Sequence, residues 1–358
     1  MKVVTILGAR PQFVKAAAVS RAFNEYPNIK EVIVHTGQHF DANMSEVFFT
    51  EMGIPKPDYN LQINSLGHGA MTGRMLEEIE KILIDEKPKY VVVYGDTNST
   101  IAGALAAKKL HISLVHIEAG LRSFNMEMPE EINRILTDRI SDILFCPTET
   151  AINNLEAEGY ANIDTEIVQC GDVMEDVALH YNKLVGNDDV LLNALKIESG
   201  KFVLCTMHRQ ENTDDPATLK RILTSLHAIN EIYPVVMPIH PRTAKKIADL
   251  GLEIHFKTVE PLGYFDMIRL IRNSKIVLTD SGGLQKEAYF FEKFCITLRE
   301  QTEWVELVNN GFNKIVGSNQ DALMEAFDHF KNKSFEKGTS LYGDGKASSV
   351  IAKRISQE

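Results

Sequence analysis

The chain has 358 residues, which is too long for one ordinary hydrophobic core, so we expect two domains of similar size. Hydrophobic residues make up 44% and charged residues 24%, and no apolar run approaches the ~18 residues that spanning a membrane requires. The net charge of −11 disfavours a nucleic-acid partner, although local Arg and Lys side chains can still bind one phosphate group.

The first residues run directly into a strand pattern, without a charged leader or a small-residue cleavage site, which favours a cytoplasmic location. The cysteines are far apart and lack paired spacing, so we expect reduced structural thiols rather than disulfides or a zinc site. His35 and His39 are four residues apart, but their segment has the pattern of a strand and a turn, so they would not share a helix face as metal ligands do. We therefore predict no metal site.

Short apolar segments rich in β-branched residues alternate with segments of helical period, which predicts an α/β protein built on parallel sheets. In the first half, the predicted strands lie near residues 2–8, 31–36, 89–95, 113–118 and 143–147. The pattern then starts over, with predicted strands near residues 201–207, 235–240, 253–258, 275–279 and 294–298. We therefore predict two doubly wound domains that face a central cleft, residues 1–171 and 172–345, with a last helix at 346–358 that packs back on the first.

The first predicted strand ends at Gly8, and Arg10 and Lys15 follow in the turn and the helix start after it. Because the N-terminus of a helix attracts anions, we expect a phosphate or a carboxylate nearby. The alternative is an ordinary solvated loop with two basic side chains.

Acidic residues follow two consecutive predicted strands, Asp96 after the first and Glu118 after the second, and Glu130 and Glu131 come soon after them. The carboxyl ends of parallel strands form the ligand crevice, and carboxylates that meet in a partly dry cleft can take acid and base roles. The alternative is that Asp96 and Glu118 only cap the helices that follow.

Histidines follow two predicted strands of the second half, His208 after residues 201–207 and His240 within the turn after the next strand. An imidazole in such a place can bind phosphate or transfer protons. Either ring could equally be a structural residue.

The segment Asp280-Ser281-Gly282-Gly283 opens a helix directly after a predicted strand. Two successive glycines let backbone N–H groups approach a diphosphate closely, so this is the better candidate for a phosphate site. Glu287, further along the helix, could accept two hydrogen bonds from a ribose diol. A glycine-rich helix start needed only for packing is the alternative.

Several motifs are missing from the sequence. It contains no dinucleotide fingerprint, no P-loop and no Gly-x-Ser-x-Gly elbow, so neither NAD nor ATP is indicated and no cofactor is expected.

Six blocks in order resemble the non-hydrolysing UDP-N-acetylglucosamine 2-epimerases across essentially the whole chain. They are Gly8-x-Arg10-Pro11-x-x-x-Lys15, Gly95-Asp96-Thr97, His116-Ile117-Glu118-Ala119-Gly120-Leu121-Arg122, Pro129-Glu130-Glu131-x-Asn133-Arg134, His208-Arg209-x-Glu211 and Asp280-Ser281-Gly282-Gly283-x-Gln285-x-Glu287. The resemblance implies the glycosyltransferase-B fold, in which two Rossmann-like domains close on a UDP-sugar, usually in a homodimer.

The resemblance also implies a reaction. The C2 proton of a UDP-2-acetamido sugar is removed while UDP leaves C1, and UDP adds back to the bound 2-acetamidoglucal after protonation on the other face. By position, the implied acid and base candidates are Asp96, Glu118 and Glu130, with Lys15, Arg134 and His208 lining the same site. The positions implied to hold UDP are Arg10, His208, Ser281, Gly282, Gly283 and Glu287.

The chain departs from the common family pattern at several positions. Gln12 replaces a Glu, and residues 302–306 read Thr-Glu-Trp-Val-Glu instead of Thr-Glu-Arg-Pro-Glu. Gln38-His39-Phe40 and His208-Arg209-Gln210 differ from motifs linked to an activating second UDP-GlcNAc, which puts that site in doubt. The variant motifs look closest to the subgroup acting on UDP-2,3-diacetamido-2,3-dideoxy-glucuronic acid in O-antigen synthesis.

Two other functions stay open on the sequence. A glycosyltransferase of the same fold would pass the sugar to an acceptor, because fold alone does not fix function. A sensor would bind the UDP-sugar without turnover.

Overall fold

The structure is a computed structural model, and the residues that it describes are 1–38, 53, 56–186, 189–338 and 340–357. His39 and Phe40, which the sequence singled out, lie outside them. The chain divides into two compact units. Unit 1 comprises Met1–Val177 and Tyr342–Glu358, and unit 2 comprises Ala178–Leu341.

Unit 1 is built on a parallel seven-stranded sheet with the order β3-β2-β1-β4-β5-β6-β7. Its strands are β1 (Lys2–Leu7), β2 (Lys30–His35), β3 (Tyr59–Asn60), β4 (Tyr90–Tyr94), β5 (Ser113–Ile117), β6 (Ile143–Cys146) and β7 (Glu166–Gln169). The helices are α1 (Arg10–Phe23), α2 (His68–Glu86), α3 (Asn98–Lys109), α4 (Pro129–Ile140) and α5 (Glu149–Ala157), with a 3₁₀ turn at Tyr160–Asn162. The strand order reverses between β1 and β4, which makes the carboxyl ends of these two strands the topological switch point of unit 1.

Apolar residues of β1, β2 and β4 form the core of unit 1 with α2 and α3. Strands β1 and β4 are buried almost throughout, as expected for central parallel strands covered on both faces. The C-terminal segment returns to this unit, because α15 (Ala347–Ser356) packs against α1. Asp176 accepts hydrogen bonds from the backbone N–H groups of Ala347 (3.0 Å) and Ser348 (2.7 Å), and so caps α15.

Unit 2 has a parallel six-stranded sheet with the order β10-β9-β8-β11-β12-β13. Its strands are β8 (Val203–Thr206), β9 (Val235–Pro238), β10 (Lys257–Val259), β11 (Ile276–Thr279), β12 (Phe294–Thr297) and β13 (Asn313–Ile315). The chain enters the unit within α6 (Val173–Val185). The other helices are α7 (Val190–Ala194), α8 (Gln210–Thr213), α9 (Pro216–Asn230), α10 (Pro241–Asp249), α11 (Tyr264–Asn273), α12 (Gly282–Phe290), α13 (Val305–Asn309) and α14 (Gln320–Lys331). The order reverses between β8 and β11, so the switch point of unit 2 lies after these strands.

The α/β class and the parallel sheets predicted from the sequence are confirmed, and each predicted strand overlaps an observed one. The strand predicted near residues 253–258 begins only at Lys257. Within the described part of the chain, the sequence analysis missed three strands, and all three lie at sheet edges: β3, β7 and β13.

Among the residues described, no helix is long and apolar enough to cross a bilayer, and no cluster of three or more His, Cys, Asp or Glu side chains could hold a metal ion. The predicted cytoplasmic location stays a prediction.

Candidate active site

The switch point of unit 1 brings together Lys15 from α1 and Glu118 from the end of β5. The Lys15 ammonium and the Glu118 carboxylate form a salt bridge, and both side chains are largely buried. Glu118 has a positive φ of 69°, a backbone strain that often accompanies functional sites. Gly95 lies beneath the pair with φ at 61°, and a Cβ there would stand 3.2 Å from Glu118 Oε2 and 3.8 Å from Lys15 Nζ. Because glycine has no Cβ, the Gly95 position leaves room for the Lys15–Glu118 pair.

Asp96 follows Gly95 and is held by α4. Its carboxylate oxygen Oδ2 accepts hydrogen bonds from Arg134 Nη2 at 2.7 Å and Nε at 3.1 Å, and about a third of its side chain stays exposed, at 30%. Asn133 donates to the Asp96 carbonyl at 2.9 Å. Asp96 does not serve as a helix cap, since Thr97 fills that position in α3.

Helix α4 turns a polar face inward. Its buried residues are Glu131, Asn133, Arg134, Thr137 and Asp138, whereas the apolar Ile132 and Leu136 are exposed. Glu131 accepts from the backbone N–H groups of Ser123 (3.0 Å) and Phe124 (2.8 Å) and also pairs with Arg134. The helix thus holds both the Asp96 turn and the loop after β5.

The charges on this face reinforce one another. Burial alone would raise the pKa of Glu131, but the N–H groups of Ser123 and Phe124 and the Arg134 guanidinium lower it below its ordinary value. Burial alone would lower the pKa of Arg134, but Asp96 and Glu131 raise it. Glu131 and Arg134 therefore stay ionised over the physiological range.

A second buried group involves Asp138 of α4. His116 Nδ1 lies 2.7 Å from Asp138 Oδ1, and His116 Nε2 lies 2.7 Å from the Gly95 carbonyl oxygen. Asp138 Oδ2 accepts from Arg122 Nη1 at 2.7 Å and from the Gly120 N–H at 3.1 Å. Burial would raise the pKa of Asp138, but His116 and Arg122 hold it below its ordinary value.

Glu130 differs from the other carboxylates because it is exposed in the first turn of α4. A pocket beside the Lys15–Glu118 pair is lined by Lys15, Ile117, Glu118, Pro147, Cys170, Gly171, Asp172 and Val173. Burial raises the pKa of the Cys170 thiol well above its usual value, which keeps it a neutral wall of this pocket.

The switch point of unit 2 is organised by Asp280, at the end of β11. Its buried Oδ2 accepts from the backbone N–H groups of His208 and Arg209, each at 2.9 Å, and from Asn212 Nδ2 at 3.1 Å. His208 Nδ1 lies 3.3 Å from the other carboxylate oxygen, and half of the His208 side chain is exposed. The carboxylate thus fixes the loop after β8 and leaves the imidazole accessible.

The phosphate site predicted from the sequence forms the start of α12. Ser281 is the N-cap residue, with its N–H bonded to Thr279 Oγ1 at 2.9 Å. A Cβ at Gly282 would lie 2.4 Å from Glu303 Oε1, while one at Gly283 would meet no atom within 4 Å. Glu287 is half-buried in the same helix. His240 is exposed and caps α10, because its Nδ1 accepts the Arg242 N–H at 3.2 Å.

The structure therefore gathers the predicted residues at two places, one in each unit. In unit 1 it brings together Lys15, Asp96, Glu118 and Arg134, with Glu130 in the first turn of the same helix as Arg134. In unit 2, His208, Ser281, Gly282 and Gly283 follow the two strands of the switch point, and His240 follows the neighbouring strand β9. The Arg10 side chain lies outside the described atoms.

The sequence analysis assigned no supporting role to four residues that hold the candidate site in place from within the core. His116, Glu131, Asp138 and Asp280 are all buried and bind backbone groups near the candidate residues. Only Asp138 lies outside the recognised blocks. No local pattern marks Asp138, because the apolar Leu136 beside it is exposed while Asp138 itself is buried.

Comparisons with known proteins agree with this arrangement. A model of the UDP-N-acetylglucosamine 2-epimerase family matches residues 21–356. The UDP-2,3-diacetamido-2,3-dideoxy-D-glucuronate 2-epimerase of Pseudomonas aeruginosa is 55% identical over 358 residues, covering 100% of both chains.

Two solved structures share the fold over 100% of both chains, each with a TM-score of 0.89. One is the UDP-GlcNAc 2-epimerase of Methanocaldococcus jannaschii in complex with UDP-GlcNAc and UDP, 41% identical. The other is the UDP-GlcNAc 2-epimerase of Neisseria meningitidis bound to UDP-GlcNAc, 31% identical. The predicted pair of Rossmann-like domains of the glycosyltransferase-B type is confirmed, and the chain belongs to the UDP-N-acetylglucosamine 2-epimerase family of isomerases.

Proposed function

We propose that the chain inverts C2 of a UDP-2-acetamido sugar by eliminating UDP and adding it back, without net hydrolysis. The observation that carries this proposal is the pair of carboxylates at one switch point, Asp96 and Glu118, each held by its own cation. Family membership supports the same reaction.

The chemistry explains why carboxylates and cations are both needed. C2 of such a sugar has no adjacent carbonyl to acidify its proton, so removing that proton alone is unfavourable. When a base takes the C2 proton as the C1–O bond breaks, the electron pair of the C2–H bond forms the C1–C2 double bond. The electron pair of the C1–O bond leaves with UDP. Return of a proton to the opposite face of C2 and of UDP to C1 gives the epimer.

We assign the two switch points to the two ends of the substrate. In unit 1, Asp96, Glu118 and Glu130 would exchange the C2 protons, while Lys15 and Arg134 pair with Glu118 and Asp96 and orient them. In unit 2, His208 and the N–H groups of Ser281, Gly282 and Gly283 would hold the diphosphate, helped by Arg10 and His240. Positive and N–H-rich surroundings favour a leaving group whose charge grows in the transition state. Glu287 would bind the ribose hydroxyls.

For the sugar itself we propose UDP-2,3-diacetamido-2,3-dideoxy-glucuronic acid or its C2 epimer, a precursor of surface polysaccharide such as O-antigen. The support is the 55% identity to the UDP-2,3-diacetamido-2,3-dideoxy-D-glucuronate 2-epimerase of Pseudomonas aeruginosa and the variant motif at residues 302–306. A panel that compares this sugar with UDP-GlcNAc and UDP-ManNAc tests the choice. A preference for UDP-GlcNAc in kcat/KM would reject it.

Turnover in D2O tests the reaction. We expect the recovered UDP-sugar to carry deuterium at C2 and free UDP not to accumulate, because the C2 proton exchanges with solvent while both fragments stay bound. Epimer without deuterium would exclude the elimination scheme. Transfer to an added acceptor would indicate the glycosyltransferase alternative, and tight binding without product would indicate a sensor.

Glu118→Gln and Asp96→Asn should each lower kcat by roughly a hundredfold or more, since each keeps the shape of the side chain but removes its basic oxygen. The exposed Glu25→Gln is the matched control and should be silent. Steady-state kinetics with thermal unfolding of each variant would separate lost chemistry from lost folding. Near-normal kcat in both site variants would rule out their assignment.

The assembly is part of the proposal as well. The homodimer implied by the family resemblance predicts a mass near twice 40.2 kDa in light scattering.

A further inference from the structure

The inference concerns His116, a fully buried histidine two residues before Glu118 that makes no contact with solvent. Its two ring nitrogens face two different acceptors, the Asp138 carboxylate at 2.7 Å and the Gly95 carbonyl oxygen at 2.7 Å. A carbonyl oxygen can only accept a hydrogen bond, and an ionised carboxylate can only accept one. A neutral imidazole has a single N–H and would leave one of these contacts without a proton.

The surroundings of Asp138 keep that carboxylate ionised. Arg122 donates to its second oxygen, which also accepts the Gly120 N–H. Arg122 is itself paired with Glu158 through Nε at 2.6 Å and Nη2 at 2.8 Å. With a charged imidazole, the cluster contains two cations, His116 and Arg122, and two anions, Asp138 and Glu158, so its charge is balanced. The thiol of Cys146 and the phenol of Tyr160 also interact electrostatically with Asp138. Burial raises the pKa of both groups, so they stay neutral.

We propose that His116 carries protons on both ring nitrogens and acts as a positioning residue that fixes the Gly95 carbonyl, and with it Asp96 and Glu118. This role rests on the proposed function. Gly95 connects the two carboxylates, because it directly precedes Asp96 and its Cα faces the Lys15–Glu118 pair. Its N–H also bonds to the Ile117 carbonyl at 3.0 Å, directly before Glu118. A shift of Gly95 would therefore displace both carboxylates at once.

The proton count is measured first, without reference to activity. Ring-nitrogen NMR of the full chain labelled with ¹⁵N-histidine should show His116, assigned by its absence in His116→Gln, with a proton on each nitrogen at about pH 7, because each nitrogen faces an oxygen that can only accept. A ring with one bare nitrogen near pH 7 would overturn the proposal.

Amide hydrogen exchange then tests the positioning. In His116→Gln, which retains one donor, and in Asp138→Asn, which weakens the acceptor, the peptide that contains Gly95 and Asp96 should exchange faster than in the wild type. The exposed His111→Gln is the matched control and should leave this peptide unchanged. Unchanged exchange in both buried variants would contradict the positioning role, whether or not the chain proves to be an epimerase.

Kinetics separate positioning from a merely structural effect. His116→Gln should lower kcat roughly tenfold or more with little change in KM, because the displaced groups act on the sugar ring while the UDP contacts are intact. A wild-type kcat in His116→Gln would refute the positioning role. A wild-type chain that epimerises no UDP-sugar would refute the proposed function instead and leave the NMR and exchange results to decide the proton count.

Discussion

At the residue scale, Gln12 shows how a single buried amide can hold a switch point together. Its Oε1 accepts from the Gly8 and Ala9 N–H groups at 2.8 and 3.0 Å. Its Nε2 donates to the Tyr94 carbonyl at 2.8 Å and lies within hydrogen-bond reach of Thr97 and Thr100. The sequence marked this position only as a departure from the Glu of the common family motif, and the structure shows that both ends of the amide are used.

Glu31 provides a pH-dependent test at the same scale. Burial raises the pKa of its carboxyl group and repulsion from Asp58 adds to this, while the hydrogen bond from Thr5 (2.5 Å) acts in the opposite direction. Because the folded-state pKa is raised, the stability that this group contributes is full below its unfolded pKa and is lost as the pH rises through the folded value.

We therefore expect Glu31→Gln to stabilise the chain near pH 8 by on the order of 1 kcal/mol, and to have little effect near pH 4. Urea unfolding at several pH values measures this difference. The exposed Glu25→Gln should not show the same pH trend. A gain that stays constant across the range would mean that ionisation of Glu31 is not its cause.

Candidate residues at strand ends could be found from the sequence, whereas the residues that support them could not, because these lie far away along the chain. Asp96, Glu118, His208 and Ser281 could be chosen as candidates because each lies at or just beyond the end of an apolar strand, and strand ends form the edge where ligands bind. Their supports come from far away, as when Asp280 binds the His208 N–H at a separation of 72 residues. No local pattern reports such a contact.

At the scale of elements, the same reasoning explains the strands that were missed. The central strands are apolar runs, so their sequence alone predicts them, whereas β3, β7 and β13 have only two to four residues and include polar ones. Each pairs on one side only, at a sheet edge, and its extended form comes from its neighbour. Short edge strands also limit unwanted pairing with other chains.

The cap of α15 is an element-scale feature that can be tested. Asp176 is contributed by a distant segment and satisfies the N–H groups of Ala347 and Ser348 that the helix cannot pair internally. Asp176→Ala should lower the free energy of unfolding by about 1–2 kcal/mol and speed hydrogen exchange in the first turn of α15. Asp344→Ala removes an exposed carboxylate close to the same helix start and serves as the control. Equal effects of the two substitutions would argue against the cap.

At the scale of the whole molecule, the chain repeats one architecture twice. Both sheets are parallel, both reverse their strand order next to the first strand of the unit, and both carry their candidate residues after the strands at or beside that reversal. The composition and the periodicity were sufficient to predict this plan. The last residues return to unit 1 because α15 packs against α1.

Core truncations in α15 test which unit the C-terminal segment stabilises. Ile351 and Ile355 are fully buried, so replacing either with Ala should cost about 3 kcal/mol. We expect the loss of hydrogen-exchange protection to be concentrated in α1 and the strands of unit 1, with a smaller change in β8, β9 and β11. Val350→Ala, at a partly exposed position of the same helix, is the control. Uniform loss of protection in both units would contradict the assignment of the segment to unit 1.

The inward-facing charges of α4 limit how the protein can be engineered for higher thermal stability. Redesign that favours hydrophobic cores would replace Glu131, Arg134 and Asp138 with aliphatic side chains. Replacing buried charges in this way often raises the melting temperature of a protein. In this chain, the same substitutions would remove the contacts that hold the turn at Asp96. We expect the resulting protein to be stable but inactive. Thermostabilising libraries should therefore leave these three positions fixed.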